Sequence, residues 1–110
     1  MAENKDSPNL AKMKFIMLLG RSLHRYGASS DRIEKALNLV CINLGINADF
    51  FSTPTSITAS FKMGYNKELT RMERLNPGKV NLSKLRHVDQ TIDKVVEDHM
   101  TIQDGTEQIE

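Results

Sequence analysis

Apolar side chains recur every three or four positions from Leu10 to Leu44, and the spacing then changes to two. In the first stretch Leu10, Met13, Ile16, Met17, Leu19, Leu23 and Tyr26 share a broad face, with Lys12, Lys14, Arg21 and Arg25 mostly outside it. Ser7-Pro8 is suited to open that helix: the serine oxygen can accept a free N–H, and proline at the first helical position gives up a bond that is not made there. The pattern predicts a first helix from about Pro8 to Tyr26, ended by Gly27 in a left-handed conformation. Ser29 or Ser30 caps a second helix in which Ile33, Ala36, Leu37, Val40, Cys41 and Leu44 keep the period, and Gly45 closes it. With only Gly27 to Ser30 between them, the two helices should form an antiparallel hairpin.

Beyond Ile46 the residue types shift towards Thr, Phe, Ile and Ser, which favour strands. Three are expected: Ala48 to Thr53, Ser56 to Met63, and about Glu68 to Leu75. In the second, Ile57, Ala59, Phe61 and Met63 alternate with Thr58, Ser60 and Lys62, the mark of one packed and one wet face. Pro54 and Gly64-Tyr65-Asn66 supply the turns, and Asn76-Pro77-Gly78 ends the sheet.

Asn81 is placed to cap a third helix running to about Met100, with Leu82, Leu85, Val88, Ile92 and Val95 on one side and Lys84, Arg86, Asp89 and Asp93 on the other. The tail is expected to hold a turn at Gln103-Asp104-Gly105 and a helix start from Thr106 to Glu110. The fold class is therefore α+β: a helical hairpin and a C-terminal helix packed on a small antiparallel three-stranded sheet. Residues 1–7 are read as a mobile N-terminus, 8–100 as the domain, and 101–110 as the start of a linker or of a helix cut short.

Composition fits one globular domain, since 39% hydrophobic and 26% charged residues in a chain of 110 leave no case for global disorder. Fifteen Lys and Arg against fourteen Asp and Glu, interspersed, give no basic stripe, so nucleic acid is not expected as a partner. The lone Cys41 lies in an apolar helical pattern and reads as a small buried hydrophobe. With no disulfide framework to form, a reducing compartment is favoured. A membrane helix needs about 20 consecutive apolar residues, and the longest run here is Phe15 to Leu19, between Lys14 and Arg21. The polar opening Met1 to Asp6 does not resemble a signal peptide.

Candidate chemistry is sparse. His24, His87 and His99 share no i, i+4 spacing with another ligand, so neither a metal nor a cofactor is expected. Ser52-Thr53-Pro54-Thr55-Ser56 concentrates hydroxyls at a strand turn, where they suit either a small polar ligand or a nucleophile beside a base; the alternative is that they satisfy backbone groups of a proline turn. Glu34, Glu68, Glu73 and Asp89 offer carboxylates whose use depends on burial or a neighbour. Nucleophile-elbow, phosphate-loop and dinucleotide motifs are absent, and no enzyme is expected. Phe15 and Leu18 point away from Met13 and Met17, which gives the first helix a second apolar surface available to a partner.

The stretch Leu18-Leu19-Gly20-Arg21-Ser22-Leu23-His24-Arg25-Tyr26-Gly27-Ala28-Ser29-Ser30-Asp31-Arg32-Ile33-Glu34 resembles the opening of the N-terminal domain of the threonine/serine exporter family. The likeness continues through Leu44-Gly45-Ile46, Phe50 to Ile57, the third strand and Val80 to Leu85, from roughly Lys12 to Gly105. The resemblance implies a domain on the cytoplasmic side of the cell membrane, followed by a polytopic region that exports threonine and serine, coupled to the proton gradient. Since no membrane helix precedes Glu110, export is expected from a region outside this chain, in the same or a companion protein. On that basis the chain is expected to be a regulatory or assembly domain, either a piece of a longer protein or a split subunit, docked on the membrane region or on a second copy. Thr53, Thr55, His24 and Glu34 are the residues placed to bind substrate. Two alternatives stand beside this: a small amide or peptide hydrolase-like domain using His24, Glu34, Thr53, Thr55 and His87, and a free-standing dimerisation module.

Overall fold

The computed structural model describes residues 7–110, 65 and 77 excepted, with side chains from residue 9 onward. Of residues 1–7, expected to be mobile, the first six lie outside the described residues and Ser7 is the first residue of a helix; Tyr65 and Pro77 of the expected turns also lie outside them. Helix α1 spans Ser7–Arg25 and α2 spans Ser30–Leu44. Ser29, extended at φ −70°, ψ 159°, accepts the Arg32 N–H and so caps α2, while Gly45 at φ 71° ends it and donates its N–H to the last carbonyls. Between the helices Gly27 sits at φ 101°, and a side chain there would press on Val80, so the turn admits glycine on two counts.

Three strands follow: β1 Ala48–Thr53, β2 Ser56–Gly64 and β3 Lys67–Arg74. They pair antiparallel in the order β1-β2-β3, with Phe51 opposite Thr58 and Thr58 opposite Met72. The expected alternation holds, since Ile57, Ala59 and Phe61 are buried and Lys62 is exposed. Helix α3, Leu82–Val96, is capped by Asn81, whose side-chain oxygen accepts the Lys84 N–H.

The hairpin is the shared element of the core. On one side α2 packs on β1, and Gly20 of α1 lies so close to β2 that an added Cβ would come within 2.7 Å of Ile57. On the other, α3 packs on α1 and α2. Ile16, Leu19 and Leu23 of α1, Ile33, Leu37 and Val40 of α2, Ile57 and Phe61 of β2, and Val88 of α3 are essentially free of solvent. Arg32 of α2 and Asp89 of α3 form an ion pair at the edge of this contact.

Three expectations need correction. Residues 102–109 form one helix, α4 (Ile102–Ile109), capped by Thr101, and Gly105 lies inside it where a turn was read. Glycine is a poor helix former, but this one is buried against the Phe15 ring, where a larger residue does not fit. Second, the Phe15 side of α1, read as a surface for a partner, is covered by α4 itself, and Phe15 is only 1% exposed. Third, Leu82 stands outside the apolar face of α3 and is largely exposed, and that helix ends at Val96, before the expected Met100.

Candidate functional site

The β1–β2 connection gathers most of the residues singled out by sequence. From α1, His24 Nε2 lies 2.6 Å from the Pro54 carbonyl oxygen. A carbonyl can only accept, so Nε2 carries a proton and donates it. From α2, Glu34 Oε2 accepts the backbone N–H of Ser52 at 2.8 Å. Within the turn, Thr53 Oγ1 is 2.9 Å from Ser56 Oγ and accepts the Thr55 N–H at 3.3 Å. Two helices and a hydroxyl pair thus hold the two-residue turn and the strand ends that flank it.

The local chemistry follows from the fold. His24 is in the last turn of α1, where a cation or ring donor also suits the negative end of the helix dipole. Glu34 is in the second turn of α2, whose face packs on β1, so its carboxylate reaches the strand's free edge. Thr55 is exposed at the tip, Thr53 half-buried behind it, and Ser52 buried at 6%. The Ser52 hydroxyl has no hydrogen-bond partner among the described residues. Sequence grouped Ser52 with the other hydroxyls and could not single it out, because its burial depends on α2 lying across the strand.

His87 does not join this group. Its Nε2 is 3.0 Å from the Gln108 carbonyl oxygen and links α3 to α4. A hydroxyl–imidazole–carboxylate relay requires those groups to bond one another. Here the His24 and Glu34 contacts run instead to backbone atoms of the turn. Among the described residues no three His, Cys, Asp or Glu side chains gather as a metal would need.

A cleft of about 720 Å³ opens between α1, β3 and α4. Leu10, Met17 and Leu18 are among its apolar lining residues, and Lys14, Arg71 and Glu107 among its charged ones. It exists because α2 and α1 cover β1 and β2, while the inner side of β3 overhangs α1 with Arg71 and Glu73. Glu73 is tied back to Arg21 of α1 at 3.1 Å.

No helix among the described residues is long and apolar enough to cross a membrane. Residues 14–110 match the model of a family described as "putative threonine/serine exporter". The chain is 30% identical over 102 residues to pheromone-regulated membrane protein 10 of Kluyveromyces lactis, a match covering 92% of this chain and 11% of that protein. It is 28% identical over 102 residues to the protein of the same name from Pichia sorbitophila, covering 92% of this chain and 10% of the relative. The chain thus spans about a tenth of the length of these curated relatives. No solved structure matches it. With nearly all of its length matched, the chain belongs to the threonine/serine exporter family.

Proposed function

We propose that this chain is the cytoplasmic accessory domain of a threonine/serine exporter, acting in regulation or assembly, while efflux of the amino acid is carried out by a membrane region outside these 110 residues. One observation carries the reading: a family match across residues 14–110 in a segment whose described helices are none of them able to span lipid. Relatives that are membrane proteins about eight to nine times as long as this chain support it. In this reading residues 8–100, with α4 packed on them, form the family's N-terminal domain, which connects to the membrane region outside this chain.

The domain acts by binding and gating, without bond chemistry. His24 and Glu34 brace the Ser52–Ser56 connection from behind, and Thr53 and Thr55 form its polar tip. A braced turn is a rigid element that can dock on a partner or meet the exported amino acid at little entropic cost. The hydrolase alternative is the weaker one, because both the imidazole Nε2 and a carboxylate oxygen are used on backbone groups and His87 stands on other elements.

The test is threonine and serine efflux from cells carrying the full gene product or the same product with residues 14–110 deleted. A membrane-located product whose efflux changes on deletion supports the proposal. Efflux unchanged by the deletion, or a product that never reaches a membrane, removes it.

A further inference from the structure

The two edges of the sheet are finished differently. On β1 the outward N–H of Ser52 is taken by Glu34 of α2. On β3 the substantial packing neighbour is β2 alone, with the Arg21–Glu73 pair as a tie to α1. Leu75 donates its N–H to the Thr55 carbonyl, so the odd residues of this strand bond to β2, and the backbone groups of Thr70, Met72 and Arg74 point to the open side. Among the described residues those groups have no hydrogen-bond partner.

Charged side chains commonly guard such an edge. Here the guard is complementary to itself. When β3 is laid antiparallel on a copy about a two-fold axis, registers centred on Leu69, Arg71 or Glu73 set like charges opposite each other. A register centred on Thr70 sets Leu69 opposite Arg71 and Met72 opposite Glu68. Centring on Met72 sets Arg71 opposite Glu73 twice, Leu69 opposite Leu75 and Met72 on Met72, and no like charges meet. Arg71 and Glu73 share the helix-side face, since they stand opposite the buried Ala59 and Ile57. Arg71 has no carboxylate partner among the described residues, and this register supplies one.

The other face of the sheet agrees. Phe51, Thr58 and Met72 lie side by side across the three strands, and Phe51 and Met72 are 66% and 65% exposed. With Met72 on the axis the row continues into its copy, and the two methionines cover each other. One register thus serves the open backbone groups, the unpaired arginine and the exposed methionine together.

We propose that β3 is an interface between two copies of this chain, joined antiparallel about a two-fold axis at Met72 into one continuous six-stranded sheet. The partner is argued from the complementarity of the strand and does not rest on the exporter reading, so failure of either leaves the other standing. An edge contact of this kind is small, and a dissociation constant on the order of 100 µM is expected.

The experiment is sedimentation equilibrium of the unaltered chain from about 10 µM to about 1 mM, with amide exchange followed over the same range. A monomer–dimer equilibrium should appear, and exchange at Thr70, Met72 and Arg74 should slow as the dimer fills, while Phe50 on the β1 edge should not change. Met72→Lys sets two like charges together on the axis and should weaken association about tenfold or more. Met72→Cys should give a disulfide-linked dimer on mild oxidation, because residues bonded across an antiparallel pair stand about 5.5 Å apart at Cα. Thr70→Cys, more than about 13 Å from its copy, should not. Cys41 is buried, and the unaltered chain controls for it. A chain still monomeric at the top of the range overturns the interface and leaves the edge to a different partner. So does a dimer that forms without slowing these amides, a Met72→Lys chain that associates as well as the parent, or a Thr70→Cys chain that links as readily as Met72→Cys.

Discussion

Glu34 on α2 takes the backbone N–H of Ser52 on β1, 2.8 Å from nitrogen to oxygen, at the edge of the sheet that β2 does not cover. Strand register explains why the N–H is available. Lys62 donates to the Asn47 carbonyl, so the odd residues of this strand bond inward to β2 and Ser52 points outward. Unpaired edge groups are a liability, and a helix carboxylate that satisfies one of them blunts the edge.

Glu34→Ala should therefore destabilise the domain by about 1–3 kcal/mol, the cost of stranding a part-buried donor. Glu34→Gln keeps an acceptor at the same place and should lose less. Urea unfolding of both variants checks the order; equal stability of Glu34→Ala and the parent would show that water replaces the carboxylate freely.

Gly105 is the point at which α4 seats on α1, its Cβ position lying 3.0 Å from the Phe15 ring and 3.1 Å from Val95. Gly105→Leu overfills that contact, and a loss of about 1–3 kcal/mol is expected. Amide exchange in α4 should speed up far more than in β2, because the helix lifts away while the sheet core stays packed. Uniform exchange changes across the chain would argue against a separately seated α4.

This contact also shows where sequence reasoning fell short. Gln103-Asp104-Gly105 has turn chemistry, and local propensity gave no sign that a glycine was needed for Phe15 to pack beside. The two anomalies, an apolar residue off the main stripe of α1 and a glycine in a helical tail, explain each other only once the elements are packed. The β1 boundaries were legible because Gly45 and the change of period fall together just before Ala48, and Pro54 follows Thr53. Hydroxyl density drew attention to residues 52–56, and His24 and Glu34 are indeed beside them. Their partners were not legible, since both bond to backbone atoms, which every residue carries.

The Arg21–Glu73 ion pair, with side chains 45% and 31% exposed, links α1 to β3 but lies in contact with water. Glu73→Gln should cost no more than about 1 kcal/mol, and the difference should shrink in high salt. A larger loss in thermal or urea unfolding would mean that this pair, more than the apolar contacts, holds β3 over the cleft.

Cys41 is 3% exposed, and burial pushes its thiol from 9.0 up to about 11. The neutral form is the one folded, so the unfolded thiol ionises first as pH rises. Cys41 should therefore contribute nothing to pH dependence below about pH 8, and its ionisation should lower stability progressively between about pH 9 and 11. Cys41→Ala should remove that part of the alkaline slope in urea titrations. Thiol labelling at neutral pH should proceed only through opening of the core; rapid labelling of the folded chain would contradict the burial.

The most direct measurement of the proposed role is radiolabelled threonine efflux from cells with the full gene product, set against a form whose residues 14–110 are removed and whose membrane level is matched by blotting. Accessory action predicts altered efflux at equal abundance, with the membrane region still inserted. Identical efflux rates at equal abundance would contradict it.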